Sequence, residues 1–182
     1  MKPTEASYVA GFLDGDGSIH FQLVRQKEYR FGFYIRASVA FSQRTSARAG
    51  LESLCPLVGS GYLRDRGTGM SDLVITSRPV LLTLLSSVEP YVIFKREHVR
   101  RALSLIPRLD GIRDGQEFLQ LAREVDVFST LNYSKTKRIS AVDVERHLRS
   151  TGVLCPCNDF LASNSEGMAL SNTNADGTPV RC

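Results

Sequence analysis

The sequence VAGFLDGDGS, residues 9–18, decides the fold of this chain. Three small residues at helical spacing form a strip that a second helix could approach closely: Ala10, Gly11 and Gly15. Asp14 and Asp16 follow at the carboxyl end of the predicted helix, where the helix dipole already places partial negative charge. A cation would offset both charges, and Mg²⁺ favours such hard oxygen ligands. A turn in which both aspartates accept bonds from nearby N–H groups is the simpler interpretation, and spacing alone favours it.

The flanking sequence predicts the order α-β-β-α-β-β-α, followed by further helices. The motif helix spans 5–14 with Thr4 as its cap, and Gly15-Asp16-Gly17 ends it because glycine permits backbone angles that a Cβ forbids. Alternation of apolar and polar residues then predicts two hairpins. The predicted strands are 18–27, 33–42, 62–66 and 72–77, and the later predicted helices are 45–58, 79–88, 95–106, 115–128 and 140–150.

Length and composition indicate one compact α/β (α+β) domain. The chain has 182 residues, of which 42% are hydrophobic, and its formal net charge is +4. We expect the domain to span 1–150 and a flexible tail to span 151–182, because Ser, Asn, Gly and Thr dominate after Thr151. The tail is net acidic, so the domain is more basic than the whole chain, which suits a polyanionic partner.

Other classes of protein are disfavoured. No apolar run approaches the ~20 residues that a bilayer span requires, so we expect no membrane partner. The four cysteines suggest no disulfide framework, which favours a reducing compartment.

Three segments in the same order resemble the single-motif, homodimeric branch of the LAGLIDADG homing endonucleases. They are VAGFLDGDGS at 9–18, GYLRDRG at 61–67 and LNYSKT at 131–136. The resemblance extends from near Tyr8 to near Leu148. It implies the LAGLIDADG homing endonuclease fold, an αββαββα core with extra C-terminal helices, whose antiparallel sheet is saddle-shaped.

The resemblance also implies an active site. Asp16 matches the metal-binding catalytic carboxylate, and Gly15 matches a residue whose backbone carbonyl faces the metal. Gln43 matches a polar residue that orders water, and Lys95 matches a basic residue beside the cleaved phosphate. The implied cofactor is Mg²⁺, with Mn²⁺ or Ca²⁺ able to substitute in binding.

One position departs from the family pattern. Ala47 stands where the family usually has Arg or Lys. Arg48 is our first choice for the second basic catalytic residue, and Arg44 is the alternative.

A basic, polar sheet face is the predicted DNA-binding surface, because residues 22–48 carry six Arg or Lys residues against Glu28 alone. An ordinary solvated sheet face would also alternate, but it would balance its charges. The predicted DNA-contacting residues on the strands are His20, Gln22, Gln26, Tyr34, Arg36, Ser38, Tyr62, Arg64, Arg66 and Asp72. Ser134, Lys135 and Lys137 are predicted to contact phosphates.

The implied function is a homodimeric, site-specific endonuclease that makes a staggered double-strand break in double-stranded DNA at a long pseudo-palindromic target. The predicted dimer interface comprises Ala10, Gly11, Leu13 and Asp14. An intron maturase and a catalytically inactive DNA-binding regulator are the alternatives. Intact Asp16, Gln43 and Lys95 argue against the regulator. We expect the protein inside an organelle if it is organelle-encoded, and otherwise in a prokaryotic cytoplasm.

Overall fold

The structure, a computed structural model, describes residues 1–132 and 139–154. The helices are α1 Pro3–Asp16, α2 Arg48–Val58, α3 Arg78–Val88, α4 Arg96–Leu105, α5 Gly115–Ser129 and α6 Ala141–Ser150. The strands are β1 Gly17–Arg25, β2 Phe33–Arg44, β3 Tyr62–Arg66 and β4 Met70–Ile75, and short 3-10 turns cover Thr45–Ala47 and Ile106–Leu109. The predicted order of elements is confirmed.

The four strands form one antiparallel sheet in the order β1-β2-β4-β3. Both predicted hairpins are therefore present, and β2 and β4 pair at the centre. Ser42 and Arg64 both pair with Asp72, so these three residues lie in one row across the sheet. Side chains alternate between the two faces of a strand, and this row therefore lies on a single face.

The helices cover the other face of the sheet and enclose one hydrophobic core. Phe21, Phe33 and Phe41 project from the strands into this core, where they meet helical side chains such as Leu13 and Phe128. Complete burial of a side chain of this size contributes about 1.5–3 kcal/mol. Among the described residues, no helix is long and apolar enough to cross a membrane.

The motif helix differs from its prediction at both ends. It begins at Pro3 and not after Thr4, and the Glu5 carboxylate accepts a hydrogen bond from the Lys2 backbone N–H at 2.8 Å. It continues through Gly15 to Asp16, because neither Gly15 nor Gly17 has a positive φ. Gly17 is instead required by space, since a Cβ there would lie 2.7 Å from the Leu13 carbonyl oxygen.

Candidate active site and nucleic-acid interface

Asp16 and Gln43 meet where α1 and β2 end. The Gln43 side-chain amide donates from Nε2 to Asp16 Oδ2 at 2.7 Å. Gln43 follows the buried residues of β2 at the end of the strand, and Asp16 is the exposed last residue of α1. The fold thus brings together two residues that lie 27 positions apart, leaving the rest of the carboxylate open to solvent.

Asp14 connects α1 to the loop that precedes α4. Its Oδ2 accepts from the backbone N–H groups of Ile93 at 2.6 Å and Phe94 at 3.2 Å, and its Oδ1 accepts from the Lys95 N–H at 2.9 Å. The Asp14 carboxylate is therefore used within the chain. Asp14 thereby fixes the position of Lys95, and its predicted place in a dimer interface stays a prediction.

Lys95 is half-buried beside the two acidic residues. Its ammonium donates from Nζ to the Asp14 backbone carbonyl at 2.7 Å. Burial lowers the pKa of Lys95, while the charges of Asp14 and Asp16 act in the opposite direction. A cation is thereby held next to the Asp16–Gln43 pair.

Arg48 and Arg44, the two candidates for the second basic catalytic residue, differ in their contacts. The Arg48 guanidinium donates from Nε to Glu52 at 3.0 Å and from Nη1 to Asp65 at 2.6 Å. Arg44, at the exposed end of β2, makes no ion pair or side-chain hydrogen bond with the described residues. Arg44 is therefore the cation of the two that remains available to a ligand.

The donor groups at the end of α1 are suited to a hard divalent cation. Asp16 offers a carboxylate and Gly15 a backbone carbonyl, both oxygen donors of the kind that Mg²⁺ and Ca²⁺ prefer. In the described part of the chain, no group of three or more His, Cys, Asp or Glu residues could hold a metal ion by itself. Waters and substrate oxygens would complete the coordination of an Mg²⁺ ion held by these few protein oxygens.

The exposed face of the sheet carries most of the predicted DNA-contacting residues. Those on β1 and β2 that are exposed or half-buried are His20, Gln22, Tyr34, Arg36 and Ser38. Gln26, exposed, follows β1 in the turn, and Tyr62 is 51% exposed on β3. Burial and the nearby charge of Arg66 lower the pKa of His20, which favours its neutral form.

Two contacts organise this face at the hairpin between β1 and β2. Arg36 donates from Nη2 to the Gln22 side-chain oxygen at 2.8 Å across the paired strands. Tyr29, which the sequence-based prediction omitted, stacks on Tyr34 with ring centroids 4.9 Å apart. Tyr29 lies in the turn, outside the alternating strand pattern on which the prediction relied.

Asp72 differs from its prediction as a DNA-contacting residue, because its side chain is completely buried. Its Oδ2 accepts from Arg64 Nη2 at 2.7 Å and from Arg66 Nε at 2.6 Å, and its Oδ1 accepts from the Ser42 hydroxyl at 2.7 Å. Burial alone would raise the pKa of Asp72, but these hydrogen bonds outweigh it and the pKa lies below its ordinary value. Asp72 thus holds two half-exposed arginines on the sheet face.

The outer surface of α1 also differs from its prediction. Ala10 and Leu13 are completely buried in the chain's own core and cannot contact a partner. The exposed stripe of the helix instead comprises Thr4, Ser7, Tyr8, Gly11 and Gly15. Ile93 and Phe94 lie beside the end of this helix and are 71% and 82% exposed. Sequence analysis missed this exposed pair, although the apolar run before Lys95 carries it.

The predicted phosphate contacts at Ser134, Lys135 and Lys137 lie outside the described residues.

Comparison with known proteins identifies relatives over most of the chain. The LAGLIDADG endonuclease family model matches residues 9–98. DNA endonuclease I-CreI of Chlamydomonas reinhardtii is 32% identical over 144 residues, covering 79% of this chain and 88% of that protein. DNA endonuclease I-CvuI of Chlorella vulgaris is 29% identical over 158 residues, covering 84% of this chain and 98% of that protein.

Solved structures agree with the sequence matches. A crystal structure of I-CvuI in complex with its target in the presence of calcium has a TM-score of 0.80 and 27% identity, and covers 84% of this chain and 98% of that one. The archaeal intron-encoded homing endonuclease I-Vdi141I, complexed with DNA, has a TM-score of 0.73 at 14% identity, which shows a shared fold. The expected fold is confirmed, and the chain belongs to the LAGLIDADG endonuclease family.

Proposed function

We propose that this chain is a site-specific DNA endonuclease that cuts both strands in a metal-dependent reaction. The contact between Asp16 and Gln43 beside the Lys95 ammonium carries the proposal. It joins a carboxylate, a polar amide and a cation at one end of the basic sheet face. The I-CvuI relative is described in complex with a DNA target, which supports the same substrate class here.

Each residue of this group has a distinct chemical role. Gly15 and Asp16 would hold a divalent cation, which would activate water and offset charge on the phosphate when bound. Gln43 orients one oxygen of the Asp16 carboxylate and can hydrogen-bond to water beside it. Lys95 places a fixed positive charge where negative charge develops on the phosphate oxygens. Asp14 positions that lysine through the backbone of residues 93–95.

The proposal includes a homodimer, because each chain carries one Asp16 group and two strands are to be cut. Gly11 and Gly15 lie on the exposed stripe of α1, and a Cβ at either position would meet no atom within 4 Å. Glycine inside a helix costs about 0.5–1 kcal/mol relative to alanine, and no contact with the described part of the chain explains their presence. Close approach of a second α1 would explain them.

Apolar residues on this stripe and beside its end support the same interface. Tyr8, Ile93 and Phe94 are all more than half exposed in the single chain. Large exposed apolar side chains that cluster on one surface indicate a contact with another macromolecule. Pairing through α1 would bury them and bring two Asp16 carboxylates near one two-fold axis. Two-fold symmetry then predicts a long pseudo-palindromic target and a staggered break.

Base reading is assigned to the sheet face. Arg64 and Arg66 repeat on the same side of β3 and are 54% and 46% exposed. An arginine can donate two hydrogen bonds to the major-groove edge of guanine, and glutamine can do the same with adenine. Because Asp72 holds both guanidinium groups, less conformational freedom is lost when they bind.

Selection from a randomised duplex library tests the proposal. The purified chain, incubated with Mg²⁺, should enrich a family of related sites with approximate two-fold symmetry and leave staggered ends. EDTA should stop cleavage, and Asp16→Asn should yield no enriched products. Absence of cleaved products across a library and metals including Mn²⁺ would overturn the assignment as an endonuclease.

A further inference from the structure

A cationic pocket lies between the turn that joins β1 to β2 and the C-terminal end of α6. Its volume is about 340 Å³, and its lining residues are Arg25, Lys27, Tyr29, Arg30, Phe31, Gly32, His147, Thr151 and Val153. Arg25 lies on the same face of β1 as Phe21 and Leu23, because side chains two residues apart share a face. Phe21 and Leu23 are buried against the helices. The Arg25 side of the pocket therefore lies on the helix side of the sheet, opposite the face proposed to read DNA. Tyr29, in the same lining, stacks on Tyr34 of that face.

The positive charges in this pocket are not neutralised within the described residues. Arg25, Lys27 and Arg30 form no ion pair there, and no carboxylate lines the pocket. The nearby acidic residues of α6 have other partners: Glu145 accepts from Arg123 and Arg149, and Asp143 accepts from Ser140 and Arg146. Glu28 lies in the same turn but does not line the pocket. Three cations that line one pocket repel one another, and an anion bound there would reduce that repulsion.

Aromatic rings hold the cationic groups in place. The guanidinium carbon of Arg25 lies 5.3 Å from the centre of the Phe33 ring, and that of Arg30 lies 5.0 Å from the centre of the Phe31 ring. Such cation–π contacts order the side chains while leaving their N–H groups free to donate. The turn itself is closed by hydrogen bonds from the Gln26 N–H to the Gly32 carbonyl at 2.9 Å and from the Gly32 N–H to the Tyr29 carbonyl at 2.8 Å.

Gly32 allows His147 to complete the pocket. Its φ is +69°, and a Cβ there would lie 2.4 Å from His147 Nε2. The imidazole thus packs against the backbone of the turn, and its ring centre lies 5.2 Å from that of Phe33 at an angle of 85°. Any other residue at position 32 would displace this ring, so the turn and α6 form one wall together.

The carboxyl end of α6 does not oppose an anion as strongly as an uncapped helix end would. The His147 carbonyl accepts from the Thr151 N–H at 3.0 Å, and the Leu148 carbonyl accepts from the N–H groups of Val153 and Leu154 at 3.0 and 3.1 Å. These bonds satisfy carbonyl groups that would otherwise concentrate partial negative charge at the helix end.

We propose that this pocket between the β1–β2 turn and α6 binds a phosphate group, in addition to the contacts proposed for DNA on the exposed sheet face. Arginine and lysine are the side chains that most commonly bind phosphate, and hydrogen bonds between ionised partners are about twice as strong as neutral ones. The cavity is larger than one phosphate needs, so a phosphate ester also fits. Either a free phosphate compound or the backbone of a nucleic-acid strand that extends around the hairpin could supply the group.

Histidine NMR of the whole chain tests this site, because His147 lines the pocket and the other two histidines, His20 and His98, do not. Inorganic phosphate is added at constant ionic strength, and the imidazole signal of His147 is assigned with His147→Gln. We expect a saturable shift of His147, with His20 and His98 as internal controls that do not move. Arg25→Gln combined with Arg30→Gln should weaken phosphate binding by at least about tenfold. The charge-matched control, Arg100→Gln combined with Arg113→Gln, should leave it unchanged.

A second titration separates the two sources of phosphate. A DNA duplex is added in the presence of Ca²⁺, and inorganic phosphate follows. If the duplex alone shifts and saturates His147, the phosphate belongs to DNA; if phosphate still shifts His147 afterwards, the site serves a free compound. No saturable shift with either probe, or equal weakening by both double variants, would overturn the site. Neither titration depends on cleavage, so failure of the phosphate site and failure of the proposed endonuclease activity can be told apart.

Discussion

The side-chain amide of Gln43 donates to the carboxylate of Asp16 at 2.7 Å, joining the end of β2 to the end of α1. This bond occupies part of one carboxylate oxygen and leaves the other side of Asp16 exposed. Asp14, two residues earlier, differs because three backbone N–H groups of residues 93–95 occupy its carboxylate. The two motif acids therefore differ: Asp16 keeps part of its carboxylate exposed, whereas the Asp14 carboxylate is bonded to the loop before α4.

Asp16→Asn should reduce cleavage by about a thousandfold or more while DNA binding is largely retained. A bound metal stabilises the charge that develops in the transition state by several kcal/mol. Each 1.36 kcal/mol corresponds to a tenfold change in rate. Most affinity should come from contacts to phosphates elsewhere. Single-turnover cleavage and gel-shift binding in Ca²⁺ measure the two effects. Cleavage near the wild-type rate would remove Asp16 from the catalytic role.

Cleavage should decline at alkaline pH as Lys95 loses its proton. Burial lowers the pKa of Lys95, so the decline should be centred below about 10.4, the ordinary value for lysine. The ammonium acts below this pKa and is lost as the pH rises through it. Lys95→Gln should be slower by about tenfold to a hundredfold and should lack this alkaline decline. A Lys95→Gln variant with an unchanged alkaline limb would assign the limb to another group.

Gly11→Leu should convert the protein into a folded monomer that does not cut both strands. A Cβ at Gly11 would meet no atom of the described residues within 4 Å, so we expect the fold to persist. The same side chain would separate two α1 helices. Sedimentation and circular dichroism test this, with Gln120→Leu, an exposed position on α5, as the control. A wild-type monomer that cuts both strands at once would contradict the shared site.

Asp72→Asn should destabilise the fold by about 1–3 kcal/mol, because two arginines lose a buried charged acceptor. The pKa of Asp72 in the folded state lies below its ordinary value, which is about 3.9. Its carboxylate therefore stabilises the fold above that pH, and the contribution is lost as the pH falls through the folded-state pKa. The difference between wild type and Asp72→Asn should accordingly shrink below about pH 4.

Urea unfolding at several pH values measures this difference. Asp110→Asn is the matched control, since Asp110 also pairs with an arginine but is 73% exposed. Exposed ion pairs contribute about 0–1 kcal/mol. Equal effects of the two substitutions would show that burial of Asp72 adds nothing to its contribution.

Sequence patterns predicted the helices and strands because each pattern is local. The alternation of residues 18–23 was enough to place Ile19 and Phe21 in the core and His20 on the opposite face. The end of α1 was predicted two residues too early, because glycine was taken as a break. Gly15 is compatible with a helix, and Gly17 is required by its closeness to Leu13.

What the sequence did not reveal about the site comes from contacts between residues distant in sequence. The partners of Asp14 lie about 80 positions away, and no periodicity reveals them. Asp72 alternates like an exposed residue, but it sits in a central strand beneath Arg64 and Arg66. Ala10 and Leu13 belong to the motif, yet the helix face that they share points inward. A motif identifies residues, while the packing of the whole chain decides what each one faces.

The last prediction separates base reading from phosphate contact. Arg66 lies on the sheet face with its Nε on Asp72, which leaves the rest of its guanidinium available. Arg66→Ala should lose about 1–3 kcal/mol of discrimination at one base pair of each half-site. Lys135, outside the described residues, is predicted to contact only the backbone. Lys135→Ala should weaken binding to all sequences alike and reduce the salt slope by about one unit.

Binding to a panel of singly substituted duplexes at several salt concentrations measures both effects in the same experiment. Arg64→Ala is the matched comparison, because Arg64 shares the Asp72 carboxylate but lies two residues away along β3. It should relax preference at a different, neighbouring base pair. Removal of either arginine also takes a hydrogen-bond donor from the buried Asp72 carboxylate. The stability of each variant must therefore be measured by urea unfolding beside its binding. If both arginine variants lower affinity uniformly and leave every base preference intact, these side chains contact only phosphates. The sheet face would then position the DNA without reading it.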